Sequence, residues 1–227
     1  GGGDYSGIMK LDFAAGAITD QSGNSSVAKS ITVGIDDPVN HPGHTSGAIV
    51  DVVSPIWKKG NVSIDKTNQK VTVELIATDK YLSGTSNSIL STSNVNDKIT
   101  LTVDGETGAN TAITKKITSG PTISTNTSTG LKEIKYTLEL SGWEQSSKQS
   151  GKSFLEYSGT TKITIAAGTV TDDYTNKNAA TTLDIGLIDP IRPKIEKVSS
   201  TRDTTNKTET IVFNVIDKYL DTSDPVA

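Results

Sequence analysis

Apolar and polar residues alternate along several short segments of the chain, as expected for strands that bury one face. The most regular segments are residues 70–78, 98–104, 131–140, 161–166 and 181–188, and less regular ones lie at 56–64 and 111–118. Connectors rich in Gly, Ser, Thr and Asn separate them, at 83–97, 119–130 and 144–153. No segment has the spacing of a long amphipathic helix. Seven strands with such turns predict an all-β fold of the sandwich type.

Part of this pattern occurs twice, which indicates internal repeats. Residues 5–20 recur as residues 157–172, and the match continues without a gap to Pro38 and Pro190. A second match relates residues 55–82 to residues 193–220 and ends on Asp-Lys-Tyr-Leu in both copies. The first offset is 152 residues and the second is 138, so 14 residues are inserted between the two matches, within residues 39–54.

The two offsets divide the chain into one complete repeat and parts of two others. Residues 1–37 are predicted to be the C-terminal part of a preceding repeat, and residues 38–54 a linker that contains the insertion. Residues 55–189 form the complete repeat, and residues 190–227 the N-terminal part of the next one. Because the chain starts at Gly1 without Met, we expect it to be a piece of a longer protein. The unfinished ends carry apolar faces, so we expect them to pair through their main chains, with each other or with neighbouring chains.

The composition sets limits on the core and on the partners. Hydrophobic residues make up 33% of the chain and aromatic residues 5%, so the core must be thin and built mainly from aliphatic side chains. There is no Cys, which excludes disulfides and thiol chemistry. With a net charge of -4 and no cluster of Lys and Arg, no nucleic-acid partner is expected. No apolar stretch reaches the roughly 18 residues that would predict a membrane span.

The sequence also argues against an enzyme. It has only two His and neither a G-x-S-x-G nor an H-E-x-x-H motif, so the common nucleophile and zinc arrangements are missing. His41 and His44 could bind a metal, but no third ligand follows at a suitable spacing, and we interpret them as polar linker residues. A Lys–Asn isopeptide crosslink is a further formal candidate, from Lys59 or Lys197 to Asn176.

One segment carries a family resemblance. Residues 14–24, Ala-Ala-Gly-Ala-Ile-Thr-Asp-Gln-Ser-Gly-Asn, precede a strand and Ile-Asp-Asp-Pro at 35–38, and together they resemble the closing hairpin of bacterial immunoglobulin-like (Ig-like) repeats. Such repeats occur in tandem in cell-surface adhesins and S-layer-like proteins. The resemblance implies an immunoglobulin-like β-sandwich in tandem repeats, extracellular and at the bacterial cell surface. It implies a non-catalytic structural or adhesive module that acts as a stalk, spacer or assembly unit, with neighbouring repeats of the same chain as partners.

The second copy of this hairpin departs from the family pattern at one turn. It has Thr175 where the family prefers Gly. If that Gly supplies a left-handed backbone conformation, Thr175 would be strained there, so Asn176 is expected to take that role instead.

Acidic residues suggest a metal at the ends of the repeat. In an Ig-like topology, Asp79, Asp172 and Asp173 are predicted to lie together, near Asp36 and Asp37 of the linker. Carboxylates in loops suit Ca²⁺, which prefers oxygen ligands. The alternative is that these residues only start turns by accepting hydrogen bonds from their own backbone. At the next junction the matching residues are Asp189 and Asp217.

Three aromatic residues flank the connector that follows residue 143. Trp143, Phe154 and Tyr157 could form a contact for a host glycan or protein. The alternative is that they close the end of a thin core with few other large side chains. Two rival functions therefore stay open beside the structural one: a glycan- or protein-binding module, and an accessory domain of an extracellular hydrolase.

Overall fold

The computed structural model describes residues 7–33, 49–82, 90–104, 106, 108–145 and 155–220. Within these ranges the chain is all-β, with antiparallel sheets and two helices of four residues each. The strands are β1 (Gly7–Phe13), β2 (Lys29–Val33), β3 (Ile49–Val50), β4 (Ile56–Asp65), β5 (Lys70–Asp79), β6 (Ile99–Val103), β7 (Thr114–Thr125), β8 (Lys132–Ser141), β9 (Glu144–Gln145), β10 (Leu155–Glu156), β11 (Gly159–Ile165), β12 (Thr181–Ile188), β13 (Lys194–Asp203) and β14 (Thr208–Ile216). The helices are α1 (Val95–Lys98) and α2 (Ala109–Ala112). No helix in this part of the chain is long and apolar enough to cross a membrane.

Seven strands at the predicted places form two antiparallel sheets in the middle of the chain. One sheet has the order β4-β5-β8-β7, and the other has the order β12-β11-β6. The apolar positions of the sequence pattern are the buried positions of the strands. On β5, Val71, Val73 and Leu75 are fully buried, and the residues between them are partly exposed. A period of two therefore directs every second side chain to the space between the sheets.

The two sheets enclose one hydrophobic core. Leu75 and Leu138 from the first sheet and Leu101 and Ile163 from the second belong to the same buried cluster. Most of this cluster is aliphatic, as the low aromatic content predicts. Each such side chain stabilises the fold by about 1.5–3 kcal/mol when it leaves water.

Strand β7 is longer than the alternation predicts. The sequence predicts a strand at 111–118 and a connector at 119–130, whereas the strand continues to Thr125. Two register irregularities between Ile117 and Thr122 interrupt the alternation. They accommodate Pro121, which has no amide donor and is tolerated on edge strands and at bulges, and β7 is an edge strand.

Other outer strands of the central sheets are irregular too. On the opposite edge, β4 shifts its register against β5 between Lys59 and Val62. In the second sheet, the edge strand β12 pairs with β11 through a shift between Thr161 and Lys162. The connector predicted at 144–153 begins with β9, which pairs with β10 in a separate short ribbon.

The end hairpins repeat the central ones. Leu11 opposite Ile31 in β1 and β2 corresponds to Ile163 opposite Leu183 in β11 and β12. Likewise, β13 and β14 begin and end their pairing at the same positions as β4 and β5, 138 residues later. The sequence matches are therefore matches of local structure.

Apolar side chains of both end hairpins are exposed. Phe13 is 40% exposed and Phe213 is 57% exposed. The expected pairing of the two ends with each other is not present among the described strands, because β1, β2 and β3 form one sheet and β13 and β14 form another. Pairing with a neighbouring chain stays a prediction.

The core extends slightly beyond the predicted end of the complete repeat. Ile191 is 2% exposed and belongs to the core cluster. The segment 55–192 should therefore be more stable than the segment 55–190, by about 1.5–3 kcal/mol in free energy of unfolding, because it retains this buried side chain. Urea denaturation followed by circular dichroism measures the difference. Ile191→Ala in the longer segment should remove most of the gain, and equal stability of the two segments would contradict the prediction.

Candidate metal centre

Three buried carboxylates meet at one end of the central sheets. Asp51, Asp79 and Asp172 each place one carboxylate oxygen within 4.8 Å of the others, and the three residues are only 9%, 3% and 2% exposed. Asp51 precedes β4, Asp79 ends β5, and Asp172 lies in the turn between β11 and β12. Because β4 and β5 are antiparallel, the start of the first strand and the end of the second lie at the same end of the sheet. We refer to these three residues as the carboxylate centre.

The turn after β11 holds the carboxylate of Asp172 in place. Oδ1 accepts hydrogen bonds from the amides of Tyr174 and Asn176, both at 2.8 Å, and Oδ2 accepts one from Asn176 Nδ2 at 2.8 Å. Asn176 Nδ2 also donates to the carbonyl oxygen of Asp51 at 3.0 Å. The side chain of Asn176 therefore ties the turn to the linker.

Asp51 and Asp79 are oriented by the backbone that follows each of them. Oδ1 of Asp51 accepts from the amide of Val53 at 3.1 Å, and Oδ1 of Asp79 accepts from the amide of Tyr81 at 2.8 Å. This is the turn-starting role that the sequence left as the alternative. The second oxygen of each carboxylate, Oδ2, is buried. Turn formation and clustering are thus compatible at Asp51 and Asp79, because the turn that follows each of them uses its Oδ1.

A second set of contacts fixes the loop after β5 against the same turn. The carbonyl oxygen of Tyr81 accepts from the amide of Asp173 at 3.0 Å. The rings of Tyr81 and Tyr174 meet edge to face, with their centres 5.1 Å apart. Lys80 Nζ lies 5.3 Å from the centre of the Tyr81 ring. These contacts hold Asp79 and Asp172 together independently of any ligand.

Burial makes a charged carboxylate at this position unfavourable. It raises the pKa of Asp172 above its ordinary value, and the nearby charge of Asp51 adds to the rise, while hydrogen bonds from Asn176 and Tyr174 oppose it. Two like charges about 4 Å apart repel by about 4 kcal/mol at an effective dielectric constant near 20. Three ionised carboxylates in one place therefore favour the uptake of a proton or a cation.

The donor set fits a hard divalent cation. Oxygens bound to one Ca²⁺ at about 2.3–2.6 Å lie at most about 5 Å apart, so three oxygens within 4.8 Å of one another can surround one ion. Softer metals prefer Cys and His ligands. The chain has no Cys, and its two His, His41 and His44, lie outside the described residues.

The structure brings together two of the three residues that the sequence proposed as metal ligands. Asp79 and Asp172 are in the carboxylate centre, whereas Asp173 is not and contributes its backbone amide to the neighbouring loop. Asp36 and Asp37 lie outside the described residues.

Sequence reasoning missed Asp51, the third member of the centre. The sequence contains a signal for it, because Asp51 stands four residues before Pro55, as Asp189 stands four residues before Pro193. The insertion in the linker obscured this match, because the gap-free alignment pairs Asp189 with Asp37.

Two of the three aromatic candidates, Trp143 and Tyr157, belong to the core. Trp143 is fully buried and donates from Nε1 to the carbonyl oxygen of Leu140 at 3.2 Å. Tyr157 is 6% exposed and its amide donates to the carbonyl oxygen of Trp143. Neither side chain offers a surface to a glycan or a protein in this arrangement, and Phe154 lies outside the described residues.

The side chain of the crosslink candidate Asn176 bonds to the carboxylate centre. Its Nδ2 donates to Asp172 and Asp51. Lys59 and Lys197 are exposed residues of β4 and β13.

The left-handed position of the second turn is occupied by Thr175 itself. Its φ is +71°, and that of the matching Gly23 is +87°. The expectation that Asn176 would take this role is wrong, because the amide and side chain of Asn176 are needed to bind Asp172. The strain therefore stays at a β-branched residue.

Comparison of this chain with protein-family models, with characterised proteins and with solved structures finds no match.

Thr175→Gly should stabilise the protein. A left-handed conformation costs a residue with a Cβ about 1–2 kcal/mol in the folded state. Glycine avoids this cost, but its greater freedom in the unfolded chain lowers the free energy of unfolding by about 0.4–1 kcal/mol. We expect a net gain of about 0.5–1 kcal/mol in the free energy of unfolding, measured by urea denaturation. Thr175→Ala is the matched control, since it keeps a Cβ and should gain less. An alanine variant as stable as the glycine variant would contradict the strain.

The raised pKa of Asp172 predicts a pH dependence of stability. Because the folded state holds the proton more tightly, the contribution of Asp172 is most favourable below its unfolded pKa and is lost as the pH rises through its folded pKa. In a chelator, wild type should therefore gain stability relative to Asp172→Asn as the pH falls from 7 to 4. With millimolar Ca²⁺ the dependence should reverse, because a cation requires the ionised form. Thermal melts of both proteins across this pH range test the two directions of pH dependence, without and with Ca²⁺. A stability difference between wild type and Asp172→Asn that does not change with pH in the chelator would contradict the raised pKa of Asp172.

Proposed function

We propose that this chain is part of a non-catalytic, Ig-like tandem-repeat protein of a bacterial cell surface, acting outside the cell as a stalk or spacer. We further propose that Ca²⁺ at the carboxylate centre fixes each repeat to the linker before it. The observation that carries the proposal is the position of Asp51, a linker residue held among two carboxylates of the repeat.

The strand order supports the Ig-like type. With the seven strands of the two central sheets lettered A to G in chain order, the four-stranded sheet has the order A-B-E-D and the three-stranded sheet the order G-F-C. This is the arrangement of a constant-type immunoglobulin domain. The short ribbon of β9 and β10 is inserted between strands E and F, and it lengthens the repeat beyond the roughly 100 residues of such a domain.

The two ends of the repeat support end-to-end stacking. One linker enters beside the carboxylate centre, and the other leaves at Asp189 after β12. On the far side, Lys218 from the next repeat forms an ion pair with Glu106 at 2.7 Å and contacts the carbonyl oxygen of Ser158. The complete repeat therefore has polar contacts with the chain on both sides of it, which supports a spacer that transmits force.

The described residues offer less support for a glycan- or protein-binding module. The aromatic side chains that suggested a glycan or protein contact, Trp143 and Tyr157, are buried.

If Ca²⁺ binds the carboxylate centre, it should raise the melting temperature, because a ligand that binds only the folded state stabilises it. At 100 times the dissociation constant the gain is about 2.7 kcal/mol. Thermal melts of the 227-residue chain in a chelator and in millimolar Ca²⁺ measure it, and Asp172→Ala should remove the part of the shift that the carboxylate centre supplies, leaving a smaller shift than in wild type.

Asp20→Ala is the matched control for this experiment. Asp20 makes the same turn, with its Oδ2 accepting from Asn24 Nδ2 at 2.9 Å, but it is exposed. This variant should keep the full response to Ca²⁺. No shift in wild type, or an equal shift in Asp172→Ala, would overturn the metal site.

A further inference from the structure

A buried glutamate at the opposite end of the repeat is not accounted for by the fold. Glu156, on β10, is 7% exposed, and neither of its carboxylate oxygens accepts a hydrogen bond from the described residues. The hydroxyl of the nearby Ser158 can donate one hydrogen bond, and it donates that bond to Oδ1 of Asp189 at 3.0 Å. A buried, ionised carboxylate without such compensation is strongly destabilising, so Glu156 needs either a proton or a cation.

Two further carboxylates lie within electrostatic reach of Glu156. Burial raises the pKa of Glu156 most, and the charges of Asp189 and Asp217 add to the rise, while the nearby hydroxyl of Ser158 and the backbone of Lys218 oppose it. Asp189 belongs to the linker that follows β12, and Asp217 follows β14 in the next repeat. The cation nearest to this group along the chain, Lys218, is already held by Glu106 and by the carbonyl oxygen of Ser158.

These two aspartates are the counterparts of two members of the carboxylate centre. At the offset of 138 residues, Asp189 matches Asp51 and Asp217 matches Asp79. Their local geometry matches as well. Oδ1 of Asp189 accepts from the second amide after it, at 3.2 Å, and so does Oδ1 of Asp217, at 2.7 Å, as in the first pair.

We infer that Glu156, Asp189 and Asp217 form a second divalent-cation site, in which the preceding repeat, the linker and the following repeat each supply one carboxylate. The inference rests on the proposed function and deepens it, because the cation would join two repeats directly. Glu156 matches Asp4 at the offset of 152 residues, so the first junction has an acidic residue at the same place in the sequence. Asp4 lies outside the described residues.

The second site should bind Ca²⁺ more weakly than the first. Among the described residues, only the first set of carboxylates has oxygens within 4.8 Å of one another. Residues 193–220 correspond to residues 55–82, so they contain no counterpart of Asp172. Ca²⁺ would therefore have to draw Asp217, which is only half-buried, towards Glu156.

Isothermal titration of the chelator-treated 227-residue chain with CaCl₂ at pH 7 tests the second site. We expect two equivalents of different affinity in wild type. Glu156→Gln should remove the weaker equivalent and keep the tighter one, and Asp172→Asn should do the opposite. Asp217→Asn, on a hairpin outside the core, should also remove the weaker equivalent, which guards against a folding defect caused by Glu156→Gln. Asp203→Asn, an exposed turn residue of the same hairpin, should keep both equivalents.

The outcomes separate this site from the carboxylate centre. A single equivalent in wild type that is lost in Asp172→Asn, or two equivalents that persist in both Glu156→Gln and Asp217→Asn, would overturn the second site and leave the proposed function intact. In that case Glu156 is only a buried, protonated acid, and Glu156→Gln should melt at or above the wild-type temperature without Ca²⁺. Loss of the single equivalent in Glu156→Gln but not in Asp172→Asn would instead overturn the carboxylate centre.

Discussion

The contact between the inner faces of the two central sheets is the interaction on which the rest of this structure depends. With no disulfide and few aromatic residues, the fold relies on aliphatic side chains such as Leu75, Leu138 and Ile163. Their burial fixes the distance and angle between the sheets, and so fixes which loops meet at each end. Asp79 and Asp172 lie together because the strands that precede them, β5 and β11, are packed against the same core.

The same turn gives opposite electrostatic results in its two copies. Asp20 and Asp172 both accept hydrogen bonds from an asparagine four residues later. At the exposed Asp20 these bonds lower the carboxyl pKa, whereas at the buried Asp172 the loss of hydration outweighs them and raises it. The chemistry of the carboxylate is therefore set by the linker and the loop that cover it, and not by the turn sequence alone.

The strands of the complete repeat could be predicted from the sequence because a half-buried strand has to alternate. The prediction ended β7 too early where bulges around Pro121 interrupt the alternation. Asp79 and Asp172 could be predicted as neighbours from the topology, but nothing in a one-dimensional pattern tells which of two adjacent aspartates enters the cluster. To predict Asp51 from the sequence, the linker has to be aligned from Pro55. To predict Glu156, one has to know of the short ribbon of β9 and β10, whose sequence shows no alternation. The sequence therefore predicts elements well and predicts contacts between loops poorly.

The irregular outer strands have a consequence for how such a module associates. A regular edge strand presents a row of amides and carbonyls to which another strand can be added. Here β7 has Pro121 and two register shifts, β4 has a bulge between Lys59 and Val62, and the pairing of β12 is also interrupted. Bulges bend and twist a strand and break up the row of hydrogen-bonding groups. These three edges therefore resist the sideways addition of a strand from another copy, whereas the remaining edge strand of the central sheets, β6, pairs with β11 without a register shift.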